Sequence, residues 1–303
     1  MCTSHKVSAT VNTCYRYPCS ERNEQLQKFA HRPHQSQSPL SSYPRAPVPR
    51  RRGLSYTVRS AQSAFLSAGR TLTTIEEYPY IVQVEFRSTS SGVWGQSCAG
   101  TILTSRFILS AARCFHGINY SPTNRRIRAG TTYRNTGGQL ACVERESNHP
   151  TYGLSGNDGD ISVVKLLESL EYSKKIAQGT IVTQGVVLPA NLPVVHAGWG
   201  ATLVSIIDSI FFIWSRITNV YADLSIPEIV TDNMICAGYT GEESGDTCHG
   251  DFGGPLFYND PAIGNICVGV VSWGYGCSDD TFPGVSTAVA SYSDWIQESV
   301  IYG

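Results

Sequence analysis

The chain has 303 residues, of which 41% are hydrophobic and 16% charged, with 28 Gly and 15 Pro; this length and composition suit one substantial, turn-rich folded unit rather than a fibrous or wholly disordered chain. No apolar run reaches the roughly 18 residues of a membrane-spanning helix, the longest candidate, 206–214, being short and interrupted by Asp208. The net charge of −1 hides a split, because residues 1–66 hold ten Lys+Arg against two Asp+Glu and the remainder 13 against 22, so the two parts are read separately.

In chain order, the opening MCTSHKVSATVNTC has no continuous hydrophobic stretch and does not read as a secretory signal. The segment SQSPLSSYPRAPVPRRRG is rich in Ser, Pro and Arg without periodicity, which predicts a basic disordered arm over 1–66. Arg50, Arg51 and Arg52 read as part of that solvated tail. From residue 67 the texture changes to short β-branched and aromatic runs broken by Gly, Pro, Asn and Asp: YIVQVEF from Tyr80, AGTILTSRFILSAA from Ala99, ISVVKLL from Ile161 and ICVGVVSWG from Ile266. Many short strands without long intervening helices predict an all-β barrel or sandwich. LVSIIDSIFFIWSR, 203–216, is apolar where turns would be expected, and reads either as a buried or partner-facing segment or as a stretch altered by a gene-sequence error. At the end, SYSDWIQESVIYG predicts a helix capped by Ser291 or Ser293, with Trp295, Ile296 and Val300 on one face.

Six motifs carry the chemistry. LSAARC ends at Cys114, 16 positions after Cys98; GDISVVKL sets Asp160 before a strand; GWG lies at 198–200; DTCHGDFGGPL spans 246–256; SWGYGC spans 272–277; PGVS spans 283–286. In that order they resemble the chymotrypsin/trypsin family of serine proteases, and TTIEEYPYIVQVEF resembles the start of an insect digestive trypsin domain; the resemblance covers 67–303. It implies two antiparallel β-barrels with a cleft between them and a catalytic Ser-His-Asp triad in that cleft.

By this resemblance the general-base His position is occupied by Arg113, in Ala111-Ala112-Arg113-Cys114, and the nucleophile position by Phe252, in Gly250-Asp251-Phe252-Gly253-Gly254-Pro255; Asp160 is retained. Phe252 has no nucleophilic atom, and a guanidinium stays protonated at neutral pH, so neither residue performs the inherited role. Loss of a triad member leaves roughly 10³- to 10⁴-fold catalysis over water. Arg113 is expected to neutralise Asp160 and lie against the Phe252 ring, closing the cleft electrostatically. His116, two residues past Cys114, reads as a surface histidine rather than a replacement base, and His149, His196 and His249 remain unassigned.

The resemblance further implies an oxyanion hole from the backbone N–H groups of Gly250 and Phe252, and a substrate pocket with Asp246 at its base and Ser272, Trp273, Gly274 and Gly284 along its walls. A basic side chain is the expected occupant. The family's activating cleavage releases an amine that pairs with the acid matched by Asp251; here Ser67-Ala68-Gly69-Arg70 replaces the usual Ile-Val-Gly-Gly start, so a zymogen-like pocket is expected. Disulfides Cys98–Cys114 and Cys248–Cys277 follow from the family pattern and imply an oxidising, extracellular compartment. Cys142, Cys236 and Cys267 have no assigned partner. No metal site is expected, since His31-x-x-His34 with Cys2, Cys14 and Cys19 fits no standard spacing, and no cofactor is implied. Asn119-Tyr120-Ser121 has the form of a glycosylation acceptor.

The favoured reading is a trypsin-like homologue without catalysis that binds peptides or proteins through a basic residue, protease inhibitors or partner proteases. The alternative is a serine endopeptidase cleaving after Arg or Lys whose sequence is altered by error or recent decay. Nucleic-acid or membrane binding through the arm rests on composition alone, so no nucleic-acid partner is expected.

Overall fold

The structure, a computed structural model, describes residues 70–200, 207–213, 230–238, 250–274 and 283–303; the predicted arm and its cysteines lie outside these residues. The first half of the described chain closes a six-stranded antiparallel barrel. Its strands are β2 (Ile81–Arg87), β3 (Trp94–Thr104), β4 (Phe107–Ser110), β5 (Arg125–Ala129), β6 (Gln139–Asn148) and β7 (Ser162–Leu166), paired in the order β2-β3-β4-β7-β6-β5. The apolar positions of the predicted runs supply its interior, where Val82, Val84, Ile102, Ile108, Leu109, Ile127 and Val164 are fully buried. Each such side chain contributes about 1.5–3 kcal/mol by leaving water.

The second half forms an eight-stranded sheet. Its main path is β1 (Arg70–Leu72), β10 (Ile207–Ile213), β11 (Met234–Gly238), β14 (Gly284–Ala288), β13 (Gly264–Trp273), β12 (Pro255–Asp260) and β9 (Pro193–Gly198), with β8 (Thr180–Ile181) parallel to β13. A further pairing of β10 with β9 curls this sheet back on itself. The apolar run around residue 210 is thus strand β10, held by β1, β9 and β11. Mostly β architecture with one closed barrel, a second curled sheet and a terminal helix is the expected class.

Helix α1 (Ser293–Tyr302) ends the chain. Its cap differs from expectation: Tyr292 is the N-cap and no side chain caps the helix. The Ser293 hydroxyl instead donates to the carbonyls of Val182 (2.6 Å) and Val289 (2.8 Å), because packing against the loop after β8 offers it buried acceptors. Ile296 of the predicted apolar face is buried, and Trp295 and Val300 pack partly against the core.

One barrel feature has no counterpart in the sequence reading. Arg126 and Arg128, on the face of β5 opposite Ile127, are buried and share the Glu85 carboxylate, each Nε lying 2.5 Å from one of its oxygens. The Arg126 guanidinium also lies 4.3 Å from the Trp94 ring centroid.

Candidate functional site

Strand β4 runs into a short 3-10 turn, Ala112–Phe115, that carries Arg113. Small Ala111 and Ala112 let the turn tuck against the barrel, Phe115 plugs into the core, and the Cys98–Cys114 disulfide ties the turn to β3. These anchors flank Arg113 on both sides and leave its side chain about a quarter exposed. Asp160 enters from the loop before β7 with its carboxylate fully buried, and its own carbonyl accepts a bond from Thr287 Oγ1 at 2.9 Å.

Arg113 reaches that carboxylate twice, through its backbone N–H to Oδ1 (2.8 Å) and its side-chain Nε to Oδ2 (2.5 Å). Ser272, at the end of β13, donates its hydroxyl to Oδ2 at 2.6 Å. A second guanidinium nitrogen, Nη2, donates to Asn157 Oδ1 at 2.8 Å and lies 3.5 Å from Ser272 Oγ. A carboxylate deprived of water is tolerable with a cation and two further donors, the Arg113 backbone N–H and the Ser272 hydroxyl, aimed at it. Replacing Ser272 by Ala removes one of those donors and is expected to lower stability by about 1.5–3 kcal/mol, read as a shift in the urea midpoint at unchanged slope.

Phe252 sits in the tight turn that leads into β12. Its carbonyl accepts the Ala99 N–H at 2.8 Å, its ring is partly buried against the core, and Arg113 Cζ lies 5.3 Å from the ring centroid. The turn demands glycine at 253, where φ is +80° and a Cβ would fall 2.2 Å from Ser110 Oγ. Gln96 Nε2 fastens the other end by donating to the Gly250 carbonyl at 2.6 Å. Between them, Asp251 is buried and accepts the Gly200 N–H at 2.8 Å. The GWG motif is explained by this carboxylate, since a Cβ on Gly200 would lie 2.1 Å from Asp251 Oδ2.

The structure thus gathers Arg113, Asp160, Phe252 and Ser272 from both halves of the fold into one junction. Trp273 is buried beside Ser272, Gly274 is exposed at the end of β13, and Gly284 pairs with Ala237. Asp246, Cys248, Cys277 and His249 lie outside the described residues. His116 is exposed and meets Tyr152 edge-on at 5.3 Å, whereas His149 packs between Tyr292 and Trp295, where burial lowers its pKa. Cys142 is disulfide-bonded, and Cys236 and Cys267 are buried thiols whose pKa burial pushes up to about 12. Among the described residues no group of three or more His, Cys, Asp or Glu is placed to hold a metal ion, and no helix is long and apolar enough to cross a membrane. Asn157 and Gln96 were not singled out in the sequence, because their roles depend on partners 44 and 154 residues away.

The trypsin family profile matches residues 68–296, which runs from before β1 into the terminal helix. The chain belongs to the trypsin family. It is 35% identical over 238 residues to "Trypsin, alkaline C" of Manduca sexta, covering 76% of this chain and 90% of that protein. "Trypsin CFT-1" of Choristoneura fumiferana is 35% identical over 236 residues (76% and 89%), and "Trypsin 5G1" of Aedes aegypti 31% identical over 261 residues (81% and 91%). Family membership agrees with the barrel, the curled second sheet and the Cys98–Cys114 disulfide.

Proposed function

We propose that this trypsin-family chain is a secreted, non-catalytic homologue that acts by binding. The observation that carries the reading is the Arg113–Asp160 pair. The acid that would orient an imidazole is committed to a guanidinium at 2.5 Å, and the side chain facing that guanidinium is the Phe252 ring. A permanently protonated group accepts no proton and a phenyl ring attacks no carbonyl, so the acyl-transfer sequence has neither a base nor a nucleophile. What remains in this reading is recognition. Asp246 would receive a basic side chain of a peptide, an inhibitor or a partner protease, with Ser272, Trp273, Gly274 and Gly284 as walls and the N–H groups of Gly250 and Phe252 facing the bound carbonyl.

The test uses the full chain with an arginyl peptide ester, a serine-directed phosphonylating reagent and a non-hydrolysable arginyl peptide. The expected result is no burst of product, no mass adduct from the reagent, and saturable peptide binding by calorimetry that is lost in Asp246→Asn. Turnover near that of an ordinary trypsin would establish the endopeptidase reading instead. Absence of both turnover and binding would remove the recognition role.

A further inference from the structure

Asp251 is the acid that the family pattern pairs with a terminal amine released by cleavage, and here a different cation already stands beside it. His196, in β9, is buried, and its Nε2 lies 3.2 Å from Asp251 Oδ1. Its other nitrogen, Nδ1, lies 3.0 Å from the Pro255 carbonyl. A carbonyl oxygen only accepts, so Nδ1 carries a hydrogen. In a neutral imidazole the unprotonated Nε2 edge would lie beside a carboxylate in a site where repulsion is little screened; with both nitrogens protonated the 3.2 Å contact, which is not an aligned hydrogen bond, is an ion pair. The Gly200 N–H donates to the same carboxylate oxygen at 2.8 Å. A Cβ on Gly198 would lie 2.4 Å from Asp251 Oδ1 and 2.8 Å from His196 Nε2, so the backbone is pared to glycine where the two side chains meet.

We propose that the His196 imidazolium is the built-in counter-ion of Asp251, so that the turn carrying Phe252 is set in the uncleaved chain and loosens when His196 loses its proton. This goes beyond the binding role proposed above and does not depend on it. Charged residues on the strands beside the pair are Asp208 of β10, in register with Ala197, and Arg70 of β1, in register with Ser209. In register with His196 stand Ser209 of β10 and Leu256 of β12, and Gln96 of β3 holds Gly250. His196 and Asp251 are 55 positions apart in sequence, and β9 pairs directly with β12, which follows the turn. Strand pairing therefore brings the cation to the acid without any cleavage.

The direction of the pH effect follows from which form the fold prefers. A histidine held as imidazolium has a folded-state pKa above its unfolded value of about 6.5. Its contribution to stability is therefore complete below about 6.5 and disappears as pH rises through the folded value. The experiment is carbon-13 NMR of the full chain labelled in histidine, with His196→Gln used to assign the resonance, alongside thermal unfolding from pH 5.5 to 9. Expected are a His196 titration at least about one pH unit above 6.5, and a difference in Tm between wild type and His196→Gln that is largest at pH 6 and shrinks through the same titration. Asp251→Asn is expected to bring the His196 titration below 6.5. A wild-type His196 that titrates at or below 6.5 overturns the proposal. So does a Tm difference that is constant across the range. Should Asp251→Asn fail to fold, the wild-type titration alone still decides.

Discussion

The double variant Arg113→His/Phe252→Ser is expected to hydrolyse an arginyl ester at least about 10³-fold faster than the unaltered chain, while either single variant stays near the unaltered rate. The geometry supplies the reason. Arg113 Nε lies 2.5 Å from Asp160 Oδ2, and the side chain continues to within 5.3 Å of the Phe252 ring, so the side chain at 113 already bridges the acid and residue 252. An imidazole on the same backbone keeps the Asp160 contact and turns its second nitrogen toward residue 252. Serine there restores a hydroxyl and vacates the space of a phenyl ring. Each single change leaves a base without a nucleophile or a nucleophile without a base, and groups that act as a unit do not contribute separately. A double variant that melts cooperatively yet stays inert would refute the proposal that these two side chains alone withhold catalysis. The defect would then be sought in the altered start, Ser67-Ala68-Gly69-Arg70, and in the apolar run at 203–216.

The parts of this fold that were legible in the sequence are those fixed by local pattern. Short β-branched runs between turn residues became β2, β3, β4, β7 and β13, and the spacing of Trp295, Ile296 and Val300 marked helix α1. Motif order was enough to bring Arg113, Asp160 and Phe252 to one place, although they are far apart in the chain. What escaped was set by tertiary partners. The alternation in RRIRA reads as an apolar face and a solvated face, yet the basic face of β5 is buried because β2 lays Glu85 beside it in register and Trp94 covers Arg126. Ser272 read as a pocket wall, and the fold also uses its hydroxyl to hold Asp160. His196, unassigned from the sequence, gained its meaning when β9 paired with β12. Ser293 had the composition of a cap and was diverted by a buried carbonyl.

Replacing Arg113 by Met is expected to destabilise the protein by about 3–5 kcal/mol, measured by urea unfolding at pH 7. Methionine keeps most of the length and apolar surface of the stem, so the change isolates the guanidinium. After it, Asp160 remains fully buried with the backbone N–H of residue 113 and the Ser272 hydroxyl as donors, but without a cation. The loss is dominated by that stranded charge rather than by the bond removed, because breaking one side of a buried pair leaves the other uncompensated. Neutralising the acid should therefore undo it. The double variant Arg113→Met/Asp160→Asn is expected to recover more than half of the lost stability, giving a coupling energy of about 2 kcal/mol or more in the cycle. The Phe252 ring, which faces the guanidinium at 5.3 Å, then packs against the thioether. A single variant as stable as the original chain would mean that Asp160 is held by its other donors alone, and that Arg113 closes the junction without sustaining it. Equal losses in the single and double variants would place the cost in packing around residue 113 and remove the electrostatic account of the closed site.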